Sequence, residues 1–140
     1  AMGSFRPVRL RAPYFGLRRD VVVSPQQRLV IRGSEVEYLF GCEAVLVPAR
    51  HLINGFSALY AQTGDIVSYH HVLLPGHEEI IVAGTRTESL YIGRLRRNPD
   101  LLGASVLAGF DRARLPEHPR PIWPVLKPYE AITLAMNRAA

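Results

Sequence analysis

Val22-Val23-Ser24-Pro25-Gln26-Gln27-Arg28-Leu29 is the stretch on which the fold turns. It reads as two apolar, β-branched runs, residues 20–24 and 28–32, parted by a Ser-Pro turn. Proline has no N–H to give to a ladder and holds the residue before it extended, so Pro25 ends the first strand at Ser24. Working outward, residues 7–10, 35–40, 44–47, 66–74, 78–83 and 89–92 have the same character: Val, Ile, Leu and Tyr bounded by Gly, Pro, Asn or Ser. Arg32-Gly33-Ser34 reads as a tight hairpin turn and Pro75-Gly76 as another. Eight short strands at this spacing predict an all-β sandwich- or barrel-like domain rather than alternating β/α units.

Helical signals are confined to short pieces. Residues 48–53 predict a single helical turn, opened by Pro48 and closed by Asn54-Gly55. Beyond Gly93 the pattern changes: Asn98 caps a short helix running to about residue 108, with Leu101, Leu102, Val106 and Leu107 on its apolar face. A Pro-rich linker, 115–124, carries Trp123, which is expected to pack the tail on the sheet. Pro128 then opens a terminal helix expected to bury Ile132, Leu134 and Ala135. The organisation is therefore residues 1–4 as a boundary or cloning scar, 5–93 as a partial β domain, and 94–140 as a helical, Pro-rich extension packed on it.

The 140 residues suit one domain, and 48% hydrophobic content is that of a globular chain. No apolar run approaches the roughly 20 residues that span a bilayer. The net charge of +5 comes almost wholly from scattered arginines, with Lys127 the only lysine. In the first arginine group, Arg9 and Arg11 alternate with Val8 and Leu10, the pattern of a half-buried edge strand. No nucleic-acid module accompanies the charge, so neither nucleic acid nor membrane is expected as a partner. One cysteine excludes an internal disulfide and a cysteine-based zinc site. Cys42 follows Phe40-Gly41 in a turn with no activating neighbour in sequence and reads as structural. His70 and His71 are adjacent and would face opposite sides of a strand, His51 sits on the short helical turn, and no paired ligand spacing exists; no metal or cofactor is expected. Glu78 and Glu79 likewise point apart and cannot act as a carboxylate pair.

Four segments in order carry a resemblance: Val22 to Leu29; Leu39-Phe40-Gly41 with Val45 to Gly55; Tyr69 to Ile80, which includes His70-His71 and Pro75-Gly76-His77; and Thr87-Glu88-Ser89-Leu90. Together they resemble the C-terminal portion of the Hint (hedgehog/intein) domains of large secreted proteobacterial proteins, which often stand beside haemolysin-type calcium-binding repeats. The resemblance runs from about residue 5 to 92 and returns weakly over 120–134. It implies a horseshoe of short strands with one or two short C-terminal helices, a secreted location, and self-processing by intramolecular acyl shift. In that chemistry a Cys or Ser at the start of the domain attacks the peptide bond before it. A Thr/Ser-x-x-His motif holds and protonates the leaving amide.

That motif falls on Ser24-Pro25-Gln26-Gln27, so Gln27 stands where the resemblance calls for His. Glutamine hydrogen-bonds but does not shuttle a proton near neutral pH. The nucleophile belongs upstream of Phe5 and is absent from the chain, and Thr87-Glu88-Ser89 lacks the His-Asn pair with which inteins release their downstream segment. The expected site is Ser24 and Gln27 on the scissile amide, with His71 or His77 beside the cleft; a turn-stabilising role for both histidines weighs equally. The expected partner is the upstream segment of the same precursor, with self-association through exposed strand edges. The competing reading is a catalytically silent Hint-like module with a structural, export or interaction role; a basic β-domain for an anionic partner is weaker.

Overall fold

The computed structural model describes residues 6–61, 72–105 and 107–139. It has an all-β architecture of two antiparallel sheets with few short helices. One sheet has the order β2-β1-β5, formed by β1 (Val8–Leu10), β2 (Val21–Val23) and β5 (Ala58–Tyr60). The other has the order β4-β3-β7-β6, from β3 (Arg28–Arg32), β4 (Ala44–Pro48), β6 (Glu79–Val82) and β7 (Thr85–Glu88).

Alternation explains the core. Val8 and Leu10 of β1, Leu29 and Ile31 of β3, and Val45 and Val47 of β4 point inward to one buried cluster. β1 is thus the central strand of its sheet and not an edge, paired with β2 on one side and β5 on the other. The opposite face of β3 and β4 is buried as well: Val30, Ala44 and Leu46 form a second cluster under Trp123 and Val125. The C-terminal extension supplies that cover and also caps the outer edge of β4. The Leu46 N–H donates to the Pro124 carbonyl at 2.8 Å, and the Leu126 N–H to the Leu46 carbonyl at 2.9 Å. Burial on both faces is why residues 44–47 read as a continuous apolar run.

Several elements differ from their sequence reading. Residues 34–40 form a helix, α1 (Ser34–Phe40), rather than a strand after a hairpin turn. Val36, Leu39 and Phe40 have the i, i+3, i+4 spacing that turns one helical face onto the core, and Gly41 closes the helix with φ 67°. The strand expected over 89–92 lies four residues earlier, as β7, because the hairpin reverses at Ala83-Gly84. Both turn residues have positive φ, 50° and 99°, as a two-residue hairpin turn requires. A side chain at Gly84 would also collide with the Gly16 carbonyl, so this turn accepts only glycine. Of the strand expected over 66–74, residues 66–71 lie outside the described residues and 72–74 are irregular.

The helix capped by Asn98, α2 (Pro99–Gly103), stops short of residue 108, and Val106 lies outside the described residues. Its cap is as expected, with the Asn98 side chain accepting from the Leu101 N–H. The terminal helix α3 (Pro128–Ala139) buries Ala131 and Leu134, while Ile132 and Ala135 face outward. Ala131 and Leu134 are three apart and share the core-facing stripe; Ile132 is rotated off it.

Leu46 is fully buried between the sheet and the Trp123–Val125 cover, so truncation leaves a cavity that neither side can fill. We expect Leu46→Ala to lower unfolding stability in urea by about 2–5 kcal/mol. A loss under about 1 kcal/mol, the range of a half-exposed site, would mean that the extension does not cover this face.

Candidate functional site

The Ser24-Pro25 turn is built by local hydrogen bonds. The Gln27 N–H donates to the Ser24 carbonyl at 3.0 Å, and the Gln26 N–H to Ser24 Oγ at 3.3 Å. The 3-10 turn that follows β4 holds it from outside, as Ala49 N–H donates to the Gln27 carbonyl at 2.8 Å and Arg50 N–H to the Pro25 carbonyl at 3.0 Å. Gln27 Nε2 then reaches across to the Glu88 carbonyl oxygen at 3.1 Å, tying the turn to the end of β7.

The two sheets part at this point and leave a cleft of about 250 Å³. Val21 to Ser24 and Gln27 line one side; Ile80, Val82, Thr85, Thr87 and Glu88 of the β6–β7 hairpin line the other. Ser24 and Gln27, singled out from sequence, therefore meet in one cleft. A second hollow of about 350 Å³ continues around the same turn, where Gln27, Arg28, Arg50 and Glu88 make it polar.

Behind the cleft wall sits a charged cluster. Glu88 Oε2 accepts from Arg28 Nε at 2.6 Å, and Glu88 Oε1 lies 2.9 Å from His77 Nε2. His77 Nδ1 accepts the Ile122 N–H at 2.8 Å, so the ring proton is on Nε2 and is donated to Glu88. Both ring nitrogens are used and the side chain is 2% exposed. His77 does not line the cleft; it is a brace between the β6–β7 hairpin and the C-terminal extension. His71 lies outside the described residues.

His118 makes the matching brace from the extension. Its Nδ1 accepts the Ile92 N–H at 3.2 Å and its Nε2 donates to the Leu74 carbonyl at 3.1 Å. Trp123 Nε1 donates to Glu79 Oε2 at 2.7 Å, and Arg32 Nη1 to Glu79 Oε1 at 2.8 Å, with the guanidinium over the Trp123 ring. The Arg32 hydrogen bond holds the Glu79 carboxyl below its ordinary pKa. Among the described residues no group of three His, Cys, Asp or Glu could hold a metal ion, and no helix is long and apolar enough to cross a membrane. Cys42 is a free thiol packed against the core cluster.

Sequence reading did not find Glu88, Arg28 or His118. Glu88 and His77 are eleven residues apart, and only the register Glu79↔Glu88 across the Ala83-Gly84 turn brings them together. His118 is 26 residues from Ile92, with a Pro-rich segment as its only local context.

Burial pushes the His77 imidazole below its ordinary value of 6.5; Glu88 pulls it back, while Arg28 and His118 add to the depression. A depressed folded-state pKa stabilises the fold fully above the unfolded value, and that stabilisation is lost as pH falls through the folded one. Protonation would also place a proton on Nδ1, against the Ile122 N–H. We expect the urea midpoint to fall as pH is lowered from 7 to 5, and His77→Gln to remove part of that slope. His51, depressed by burial and by Arg50, keeps the remainder. A midpoint that rises on acidification would contradict the assignment of His77 as a neutral brace.

Neither a curated protein nor a solved structure matches the chain. The profile of the Hint domain matches residues 1–94, which is more than half of the 140 residues and includes both sheets and the cleft between them. The chain belongs to the Hint domain family, a family of self-processing domains.

Proposed function

We propose that this chain is part of an autoproteolytic Hint domain whose cleft between β2 and the β6–β7 hairpin receives the polypeptide that precedes β1. The observation that carries the reading is the register Val8↔Val23. It brings the chain entering β1 alongside the end of β2, next to Ser24 at the lip of the cleft. In the reaction, an upstream Cys Sγ or Ser Oγ attacks the carbonyl carbon of the preceding residue. The new C–S or C–O bond forms, the C–N bond breaks, and the nucleophile's proton ends on the departing amine. A thiol or water then cleaves the resulting thioester or ester.

Ser24 Oγ has a proton to donate to the strained amide, since its own lone pair already accepts the Gln26 N–H. Gln27 contributes rigidity: its Nε2 is committed to the Glu88 carbonyl, and an amide side chain carries no proton between sites at neutral pH. General acid–base assistance is worth roughly 10²–10⁴ in rate. The acyl shift of this domain is accordingly slow.

The same bond supports a second reading, a silent Hint module kept for folding, export or interaction. Gln27 Nε2 holds the Glu88 carbonyl and an amide gives up no proton near neutral pH, and both His77 nitrogens are engaged, so neither residue can protonate a leaving nitrogen.

Produced together with the coding sequence that precedes it, the protein should cleave slowly at one upstream Cys or Ser, faster with dithiothreitol if the residue is Cys. Gln27→His should raise the rate by about 10²-fold or more. A chain that stays intact in thiol, with Gln27 and with His at that position alike, would reject autoproteolysis in favour of the silent module.

A further inference from the structure

Thr87 stands on the cleft wall of β7, paired with Leu29 on one side and Ile80 on the other. It is 3% exposed, and its Oγ1 is buried with no hydrogen-bond partner among the described residues. Its surroundings in the cleft are apolar, with Val21, Val23, Ile80, Val82 and Leu90 among the lining residues. Valine has nearly the same shape and would fill this place without stranding a hydroxyl. Buried polar groups are nearly always satisfied, and an unpaired one calls for a partner beyond the described residues.

We propose that Thr87 is a binding residue for the backbone of the polypeptide segment that enters the cleft. Its hydroxyl donates to a peptide carbonyl of an extended, apolar stretch. This rests on the reading that the chain ahead of β1 runs into the cleft. Two features select an extended peptide over other apolar ligands. β2 is the outer strand of its sheet and faces the same space, which offers a strand-shaped slot lined by Val21 to Val23. Thr87 also precedes Glu88, whose carbonyl accepts from Gln27 Nε2, and this leaves the Thr87 hydroxyl as an unengaged donor on this wall among the described residues. A χ1 rotation of about 120° carries the Thr87 hydroxyl into another staggered position, and this lets the oxygen turn toward an arriving carbonyl.

The test compares Thr87→Val and Thr87→Ser in two proteins: the 140-residue chain, and the same chain joined to its native upstream sequence. In the shorter protein Thr87→Val should unfold at the same urea concentration as the parent or a higher one, because a stranded hydroxyl is removed. In the longer protein it should speed amide exchange in the upstream segment about tenfold, the loss of one hydrogen bond, and Thr87→Ser should restore protection. A segment equally protected in Thr87→Val overturns the proposal. So does a segment unprotected in every variant, or a Thr87→Val loss of stability equal in both proteins, which marks a structural hydroxyl. Exchange that depends on Thr87 in a protein that never cleaves upholds the binding role and rejects the reaction. Cleavage that proceeds unchanged in Thr87→Val, with protection unchanged, does the reverse.

Discussion

The Glu88 carboxylate lies between Arg28 Nε at 2.6 Å and His77 Nε2 at 2.9 Å, and its residue also offers a backbone carbonyl to Gln27. A carboxylate this far from water is tolerated only when its partners are fixed in place. The partners come from two distant parts of the chain: Gln27 and Arg28 from the entry to β3, His77 from the approach to β6. Satisfying one buried charge therefore fixes how the β6–β7 hairpin sits against the Ser24-Pro25 turn. The cleft is the space left between them. Removing either partner strands the charge, whereas the many surface arginines can change with little consequence.

From that cluster the restraint passes outward to the C-terminal extension. His77 uses its second nitrogen on the Ile122 N–H, His118 reaches back to Ile92 and Leu74, and Trp123 meets Glu79. Residues 124–126 then lie along β4 and close its open edge. The family profile ends at residue 94, yet the stretch beyond it covers the second face of β3 and β4. The extension is in this sense part of the scaffold that sets the cleft, although none of its described residues lines it.

What could be read from sequence follows from how local its cause is. The Ser24-Pro25 break, the strands on either side of it and the Asn98 cap are dictated by residues within four positions, and each stands where local chemistry put it. Residues 35–40 read as a strand because Val, Tyr and Phe favour strands, yet Val36, Leu39 and Phe40 also satisfy a helical period, and contact of Val36 with the core decides for the helix. β5 escaped because three residues, Ala58-Leu59-Tyr60, carry almost no periodic signal. The β7 register depended on a turn marked only by Gly84, and a four-residue slip hid Glu88 from view as a partner of His77. Ser24 and Gln27 could be named from a four-residue motif, whereas Thr87's unpaired hydroxyl is visible only in three dimensions.

Where the chain ahead of β1 goes is the point on which the functional account stands. The most direct measurement is a crystal structure of the protein carrying its native upstream sequence, with the nucleophile replaced by alanine so that the bond survives. The account requires the upstream backbone to lie between β2 and the β6–β7 hairpin, with the scissile amide against Ser24. Density that leads the segment away over α3 or into solvent, with the cleft empty, would contradict it.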